Sequence, residues 1–540
     1  MKAKMKIEDK IGYQVFPRSF NDTNKDGNGD IQGIIDKLDY LQDLGIDIIW
    51  LCPIYKTNFL DAGYDVINYF EIDEMFGSMS DFKRLISETQ KRNMNIMMDV
   101  VLNHGSDVSF EFQEACKSRD SEYFDYYIWN DNPNLDDPSI FGGSAWEYVD
   151  SVKSYYLHIF SKSQPDFNWD NPKLRKFIYG MLKFWIDLGI NYFRLDAVEH
   201  VGKTTSPFEI RYGKYNKEYL MEMYDQVFKG TNAITVGESW SISPEVMKEY
   251  TDPENKAIET FFNFSMLAFD WKNDRASLSL EKNIVDFSEL KGYFDWQKAK
   301  LVTATSWTNH DIPRALDRYL GNTKGYIYEK QTLLNTLLLT TKGIPFFYQG
   351  EEFGMSYMEI NSMEDFRDGT INQQYNSLVN DEKVYTKEEF LKAAKSGSRD
   401  LSRSIMSWSG EKNSGFNNEK EHPWINLSID YKTRNQETDY QSEKSIFKYT
   451  KELIRLRKEE YYKFFCEFDD IELVECKNNL IIYILKSNGR SITVALNFSN
   501  KEIKALNLWK NKSEIIFSNY KENEENSLKQ YQAIIWETKE

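Results

Sequence analysis

The sequence predicts an α/β protein, a (β/α)8 TIM barrel with a domain inserted after the third strand and a C-terminal antiparallel β domain. Three observations carry this. Eight short β-branched or aromatic runs alternate with amphipathic stretches of helical period. One long stretch after the third run, residues 104–170, breaks that rhythm, and beyond residue 461 the pattern changes to short alternating strands. Eight strand and helix alternations imply a parallel barrel, whose reactive side chains belong at the C-terminal ends of the strands.

The strand candidates are residues 12–16, 47–51, 95–100, 192–195, 234–236, 260–264, 303–307 and 344–348. Helices are expected between most of them, for instance over 30–44, 80–92 and 172–188. The last has Asn171 as N-cap, Pro172 at the first helical position and Gly189 just past its end. The barrel then takes residues 1–103 and 171–461. Residues 104–170, rich in Asp, Asn, Pro, Gly and aromatics, are too long for a loop and read as an inserted domain. A second irregular stretch, 354–421, follows the eighth strand and should cover the barrel mouth. After a helical segment at 440–458, strands at 480–486 and 491–498 place a β-sandwich-like domain at 462–540.

Composition bounds the function. At 540 residues the chain exceeds one ordinary core but suits a large barrel with smaller domains. A formal net charge of −18 argues against nucleic acid or an anionic membrane as partner and is compatible with a neutral substrate. An aromatic share of 15% supplies the flat amphipathic rings that a carbohydrate pocket needs. The basic N-terminus, residues 1–9, continues into a polar stretch where a signal peptide needs an apolar core. The most apolar run, 333–348, is broken by Asn335, Lys342, Gly343 and Pro345 and cannot span a bilayer. Cys52, Cys116, Cys466 and Cys476 show no disulfide or metal spacing, so a cytoplasmic location is expected. No protein partner is evident.

Three carboxylates, Asp196, Glu238 and Asp311, stand just after the fourth, fifth and seventh strand candidates. Acetal cleavage with retention needs a carboxylate nucleophile and a second carboxyl that donates and then accepts a proton. Asp196, two residues beyond Arg194 in an extended segment, is expected to stay ionised beside that cation. Glu238, after a hydrophobic strand and Gly237, is expected in a less polar wall that raises its pKa. A loop at 22–30, Asp22-Thr23-Asn24-Lys25-Asp26-Gly27-Asn28-Gly29-Asp30, spaces oxygen ligands at every second residue, as in an EF-hand, though Gly33 stands where that motif has its final Glu.

These segments resemble the α-amylase family of glycoside hydrolases, and within it the oligosaccharide α-glucosidase, oligo-1,6-glucosidase-like branch. Asp99-Val100-Val101-Leu102-Asn103-His104, residues 192–200, Val236-Gly237-Glu238 and Thr308-Asn309-His310-Asp311 resemble the family's four regions in order. Gln164-Pro165-Asp166-Phe167-Asn168-Trp169 resembles the extra motif of the branch. The resemblance implies Asp196 as nucleophile, Glu238 as general acid/base and Asp311 as the carboxylate that orients sugar hydroxyls. It implies His104 and His310 as hydrogen-bond partners of the same sugar ring, and Arg194, Gln164 and His200 as further substrate-binding residues. Asp61 and Tyr64, in Asp61-Ala62-Gly63-Tyr64-Asp65, resemble the residues that close the far side of the sugar site. Arg403, the second Arg of Arg399-Asp400-Leu401-Ser402-Arg403, is expected to pair with Asp61, making a pocket for one terminal glucose. Phe141 resembles an aromatic lid. In the family the loop after the first strand binds structural Ca2+, which implies Asp22, Asn24, Asp26, the Asn28 carbonyl and Asp30 as ligands.

The expected function is therefore a retaining exo-acting α-glucosidase on short oligosaccharides, cutting α-1,4 and/or α-1,6 bonds. Ala197, after the nucleophile, and Glu199-His200, where α-amylases carry a Lys-His pair for the sugar beyond the cleaved bond, leave the linkage open. A glucosyl-transferring or isomerising enzyme of sucrose isomerase or trehalose synthase type would use the same intermediate. A non-catalytic barrel partner of a membrane transporter would be expected to lack these carboxylates and to carry a transmembrane helix.

Overall fold

The computed structural model describes residues 7–270, 285–321, 325–417, 422–504, 512–524 and 526–538. The first six residues of the basic N-terminus and residues 418–421 of the second irregular stretch lie outside them.

Eight parallel strands form the barrel: β1 (Gly12–Val15), β2 (Ile48–Leu51), β3 (Asn95–Val101), β4 (Tyr192–Asp196), β5 (Ile234–Gly237), β6 (Thr260–Phe261), β7 (Ala304–Ser306) and β8 (Ile344–Tyr348). Their register runs from Gly12 beside Ile48 to Val101 beside Asp196 and Gly237 beside Phe261, while Gly12 also pairs with Phe346 of β8. One parallel bridge, Phe262 to Ala304, joins β6 to β7 and closes the ring. That single bridge explains why β6 is only two residues long, where the sequence suggested five: the chain leaves the ladder once the seam is made.

Inside the ring, Ile48, Trp50, Met97, Val236, Phe262 and Phe346 are buried side by side, so the barrel is filled rather than open. Gly12 is required there, because a Cβ at that position would lie 2.2 Å from the Phe346 ring. Outside, the helices pack by their apolar stripes. Met79–Lys91 starts with a capping box between Ser78 and Asp81, and the Asn171 side chain accepts from Lys173 N–H to start Pro172–Asp187. Two expected helices are split. Residues 30–44 form Ile31–Asp36 and Leu38–Leu44, separated at Lys37, whose backbone (φ −106°, ψ 5°) leaves the helical region. Residues 440–458 divide into Gln436–Gln441 and Ile446–Lys458, because Asp439 and Ser445 cap the N-terminus of the second.

Residues after β3 carry a short helix, Phe110–Ala115, and a three-stranded antiparallel sheet built from Trp129–Asn130, Trp146–Val149 and Ser154–Leu157. The antiparallel bridge between His104 and Asp166 and the Asp166–Lys203 ion pair (3.1 Å) hold this insertion against the barrel mouth. The C-terminal part is a five-stranded antiparallel sheet of β9 (Asp470–Lys477), β10 (Leu480–Ser487), β11 (Arg490–Asn497), β12 (Lys512–Ser518) and β13 (Ala533–Thr538), in the order β9-β10-β11-β13-β12. Arg457 stitches it to the barrel. Fully buried, its guanidinium donates to the carbonyls of Leu339, Thr341, Gly343 and Phe465 at 2.7–3.2 Å.

Candidate active site

The C-terminal ends of the strands open into one cavity of about 1530 Å³. Asp196 is the last residue of β4 and Glu238 follows β5, so both carboxylates emerge at its base. Between them stands Arg194, two residues earlier on β4 and thus on the same face. Its Nη1 meets Asp196 Oδ1 and, at 2.7 Å, Asp99 Oδ1; its Nη2 meets Glu238 Oε2 at 2.8 Å. Glu238 Oε2 also accepts from the Ala197 N–H at 2.9 Å, which Ala197 delivers from a left-handed turn (φ 49°) directly after Asp196.

One guanidinium thus serves three buried carboxylates, and this corrects the expected electrostatics. Burial pushes both Asp196 and Glu238 above the usual carboxylate range. Arg194 pulls each back down, and the neighbouring acids push up again, Glu238 and Asp99 on Asp196, and Asp311 and Asp99 on Glu238. The rise at Glu238 matches the sequence reading. Arg194 does not keep Asp196 in the ordinary carboxylate range, because burial, with Glu238 and Asp99 close by, outweighs its pull. Because one guanidinium touches all three carboxylates, their protonation is linked, and retaining chemistry needs one carboxyl ionised and one protonated.

Asp311 behaves differently. Although burial raises it, His310, Arg399, Arg403 and Arg194 bring it down to about 2. Arg403 Nη2 lies 3.1 Å and Arg399 Nη1 3.4 Å from its Oδ1, while His310 Nε2 lies 3.2 Å from Oδ2. Burial holds His310 near 3 and His104 near 3, so both imidazoles are neutral at pH 7. With Gln14 Nε2 donating to His310 Nδ1 (2.8 Å), the proton sits on Nε2, facing the Tyr64 hydroxyl at 2.8 Å, which in turn donates to Asp99 Oδ2 at 2.9 Å. Trp50 Nε1 completes the Asp99 shell at 3.0 Å.

The far end of the cavity is closed by charge, but not by the expected pair. Arg399, not Arg403, meets Asp61, Nη2 to Oδ1 at 2.8 Å. Arg399 also chelates Asp368, at 2.6 and 2.7 Å, and lies over the Phe141 ring at 5.4 Å. The short 3-10 turn Arg399–Leu401 explains the exchange: it sends Arg399 toward Asp61 and folds Arg403 back, where its Nε donates to the His310 carbonyl at 2.9 Å.

Asp61, Tyr64, His104, Phe141 and His200 line the cavity with Asp196, Glu238 and Asp311. Gln164, Arg194, His310 and Arg403 are buried a layer behind it; the Gln164 amide donates to Asp61 Oδ2 (3.0 Å) and sits 3.0 Å from His104 Nε2. His200 is 3% exposed and held by the Ile210 carbonyl at 2.6 Å. Sequence reasoning passed over Asp99, Asp368 and Gln14. Asp99 stood inside a quoted motif; Asp368 and Gln14 carried no local signal.

The 22–30 loop is a chain of Asx turns. Asp22 accepts from Lys25 N–H (2.6 Å), Asn24 from Asp26 N–H (3.0 Å) and Asp26 from Asn28 N–H (2.8 Å). Asp30 caps the following helix through Gly33 N–H (2.6 Å), and the Asn28 side chain accepts from Arg18 Nε. Among the described residues no group of three or more His, Cys, Asp or Glu side chains is gathered for a metal. The donors offered by this loop are all hard oxygens, the chemistry that suits Ca2+.

An alpha amylase catalytic-domain family model matches residues 14–464. The chain belongs to the α-amylase family of glycoside hydrolases. The glucan 1,6-alpha-glucosidase of Streptococcus pneumoniae serotype 4 is 38% identical over 498 residues, 91% of each chain. Among solved structures, a trehalose-6-phosphate hydrolase mutant from Bacillus licheniformis superposes with a TM-score of 0.90 at 33% identity, over 99% of both chains. An isomaltulose synthase mutant from Erwinia rhapontici NX5, bound to sucrose, gives 0.91 at 31%, again over 99% of both. The carboxylates that a non-catalytic barrel partner of a transporter would be expected to lack are present in the cavity, and among the described residues no helix is long and apolar enough to cross a membrane.

Proposed function

We propose that this glycoside hydrolase is a retaining exo-α-glucosidase, releasing terminal glucose from α-1,6- and α-1,4-linked short oligosaccharides. The observation that carries the reading is the Arg194 guanidinium touching both Asp196 and Glu238 at the base of a cavity that Arg399, Asp61 and Asp368 close behind one sugar. One cation in contact with both carboxyls sets a nucleophile and a proton donor side by side at the base of the pocket, the pair of groups that a double displacement uses.

In this reading Asp196 attacks the anomeric carbon while protonated Glu238 gives its proton to the departing glycosidic oxygen. A glucosyl ester forms on Asp196. Glu238, now ionised, takes a proton from water, whose oxygen attacks the same carbon and releases glucose with its configuration retained. Asp311, ionised at all working pH values, accepts hydrogen bonds from ring hydroxyls and offsets the positive charge of the oxocarbenium-like transition state. Neutral His104 orients the sugar from the cavity wall, and Phe141 covers it. His310 fixes Asp311 and Tyr64 from behind.

The linkage assignment draws on the 1,6-glucosidase relative and on the small side chain of Ala197 next to the nucleophile. The assay is glucose release from isomaltose, maltose, sucrose and trehalose; release from none of them would sink the hydrolase reading. Transfer or isomerisation would appear as new disaccharides instead of glucose.

We further assign Ca2+ to the 22–30 loop, with Asp22, Asn24, Asp26, the Asn28 carbonyl and Asp30 holding it. Its contribution would be structural. The loop is tied to the segment after β8 through Asn417 Nδ2 to Asp22 (2.6 Å) and Trp424 N–H to the Gly27 carbonyl (2.9 Å), the segment that also carries Arg399. Chelation is expected to lower the melting temperature by several degrees and Ca2+ to restore it; an unchanged transition would refute the assignment. Four unpaired cysteines suit a cytoplasmic location.

A further inference from the structure

Gln14 stands on β1 two residues after Gly12, so its side chain lies on the same face of the strand, and it is 1% exposed. A buried amide is costly unless its donors are used. Here they are: Nε2 donates to His310 Nδ1 at 2.8 Å and to Cys52 Sγ at 3.2 Å, and burial pushes that thiol up so that it stays protonated. The imidazole it meets is fully buried and boxed in by rings, Tyr64 parallel at 5.3 Å, Trp50 edge-on at 5.9 Å and Phe16 at 6.5 Å. Held in this way the ring cannot turn to change partners, so what faces each nitrogen decides where its proton sits. Nε2 faces the Tyr64 hydroxyl at 2.8 Å and Asp311 Oδ2 at 3.2 Å. Asp311 is ionised, and a bare Nε2 would set a lone pair against its carboxylate; reversing the Gln14 amide would require that arrangement. A second proton is opposed too, because on Nδ1 it would confront the amide N–H. Of the charged groups around the ring, Asp311 draws such a proton, while burial and the guanidiniums of Arg403, Arg194 and Arg399 oppose it. Among the described residues Gln14 is the only hydrogen-bond partner of Nδ1.

We propose that Gln14 is a positioning residue for the reaction: by filling the Nδ1 lone pair it locks His310 as the neutral Nε2–H form, which donates to Asp311 and leaves the Asp311 charge available to the oxocarbenium-like transition state. Without the lock the imidazole can take a second proton, and a cation beside Asp311 would cancel part of the negative charge that the transition state uses. The catalytic consequence rests on the glucosidase reading, whereas the state of the imidazole is read with no substrate present. Gln14→Met keeps the volume and removes the donor; Gln14→Glu offers Nδ1 an acceptor instead. With only five His in the chain, nitrogen-15 labelling of histidine resolves His310, assigned by its absence from His310→Asn.

At pH 7 wild type is expected to show a single neutral His310, its proton on Nε2 and its Nδ1 hydrogen-bonded. The Nδ1 signal should move to the position of an unbonded nitrogen in Gln14→Met, and a proton should appear on Nδ1 in Gln14→Glu. On the better of isomaltose and maltose, kcat is expected to fall about tenfold in Gln14→Met and about a hundredfold in Gln14→Glu, with KM within about threefold, since the effect falls on the transition state. A packing role alone would lower the melting temperature and leave the His310 nitrogens unmoved. A wild-type proton on Nδ1, His310 signals that neither variant alters, or kcat within twofold of wild type in both variants would each overturn the proposal. Wild type releasing glucose from none of the four sugars would overturn the glucosidase reading, and the catalytic role of Gln14 with it, while the spectra still decide whether Gln14 sets the state of His310.

Discussion

Asp196→Asn is expected to lower kcat by at least about 10⁴-fold on every substrate that wild type cleaves, the scale on which one member of a concerted catalytic unit is lost. The amide is isosteric and keeps contact with Arg194, but it cannot form the glucosyl ester. The fold should survive. Arg194 would still face Asp99 and Glu238 at 2.7 and 2.8 Å, and one of the three carboxylates crowding a single guanidinium would be gone. The variant is therefore expected to melt at or above the wild-type temperature. Steady-state assays and a thermal melt on the same preparation check both halves, and activity within tenfold of wild type would remove Asp196 as nucleophile.

The second large effect concerns stability. Arg457→Leu is expected to cost about 3–5 kcal/mol, because the four carbonyls of Leu339, Thr341, Gly343 and Phe465 lose their buried donor. Those carbonyls end the helix Ile327–Leu339, lead into β8 and reach the start of the C-terminal part, so the loss falls where barrel and β sheet are joined. The cation also sits at a helix C-terminus, where its charge is favoured. Arg457 lies at the opposite end of β8 from the cavity. A lower urea midpoint with kcat/KM unchanged at 25 °C is the expected result; an unchanged midpoint would show that water replaces the guanidinium without cost.

Much of this was legible from residue order alone. A parallel strand delivers its next residue to the barrel mouth, so Asp196 and Glu238 could be placed without coordinates, and the eight apolar runs announce the ring. What the order could not show is how a turn distributes two similar side chains. Arg399 and Arg403 are four residues apart in one segment; both reach Asp311, and only the 3-10 turn between them decides which one meets Asp61. Nor could it show sharing. Arg194 next to Asp196 reads as a dedicated counterion until Asp99, 95 residues earlier, is found on the same nitrogen. Asp368 sits in an irregular stretch with no periodicity to mark it, and it became visible only as a ligand of Arg399.

The retaining mechanism makes a claim that one measurement reaches directly: the anomeric form of the glucose first released. Proton NMR during the opening turnovers on isomaltose or maltose, before mutarotation mixes the anomers, should show α-glucose as the first product, with β-glucose rising only later. β-Glucose appearing first would mean a single displacement by water, and would contradict attack by Asp196 across a site that one arginine holds together.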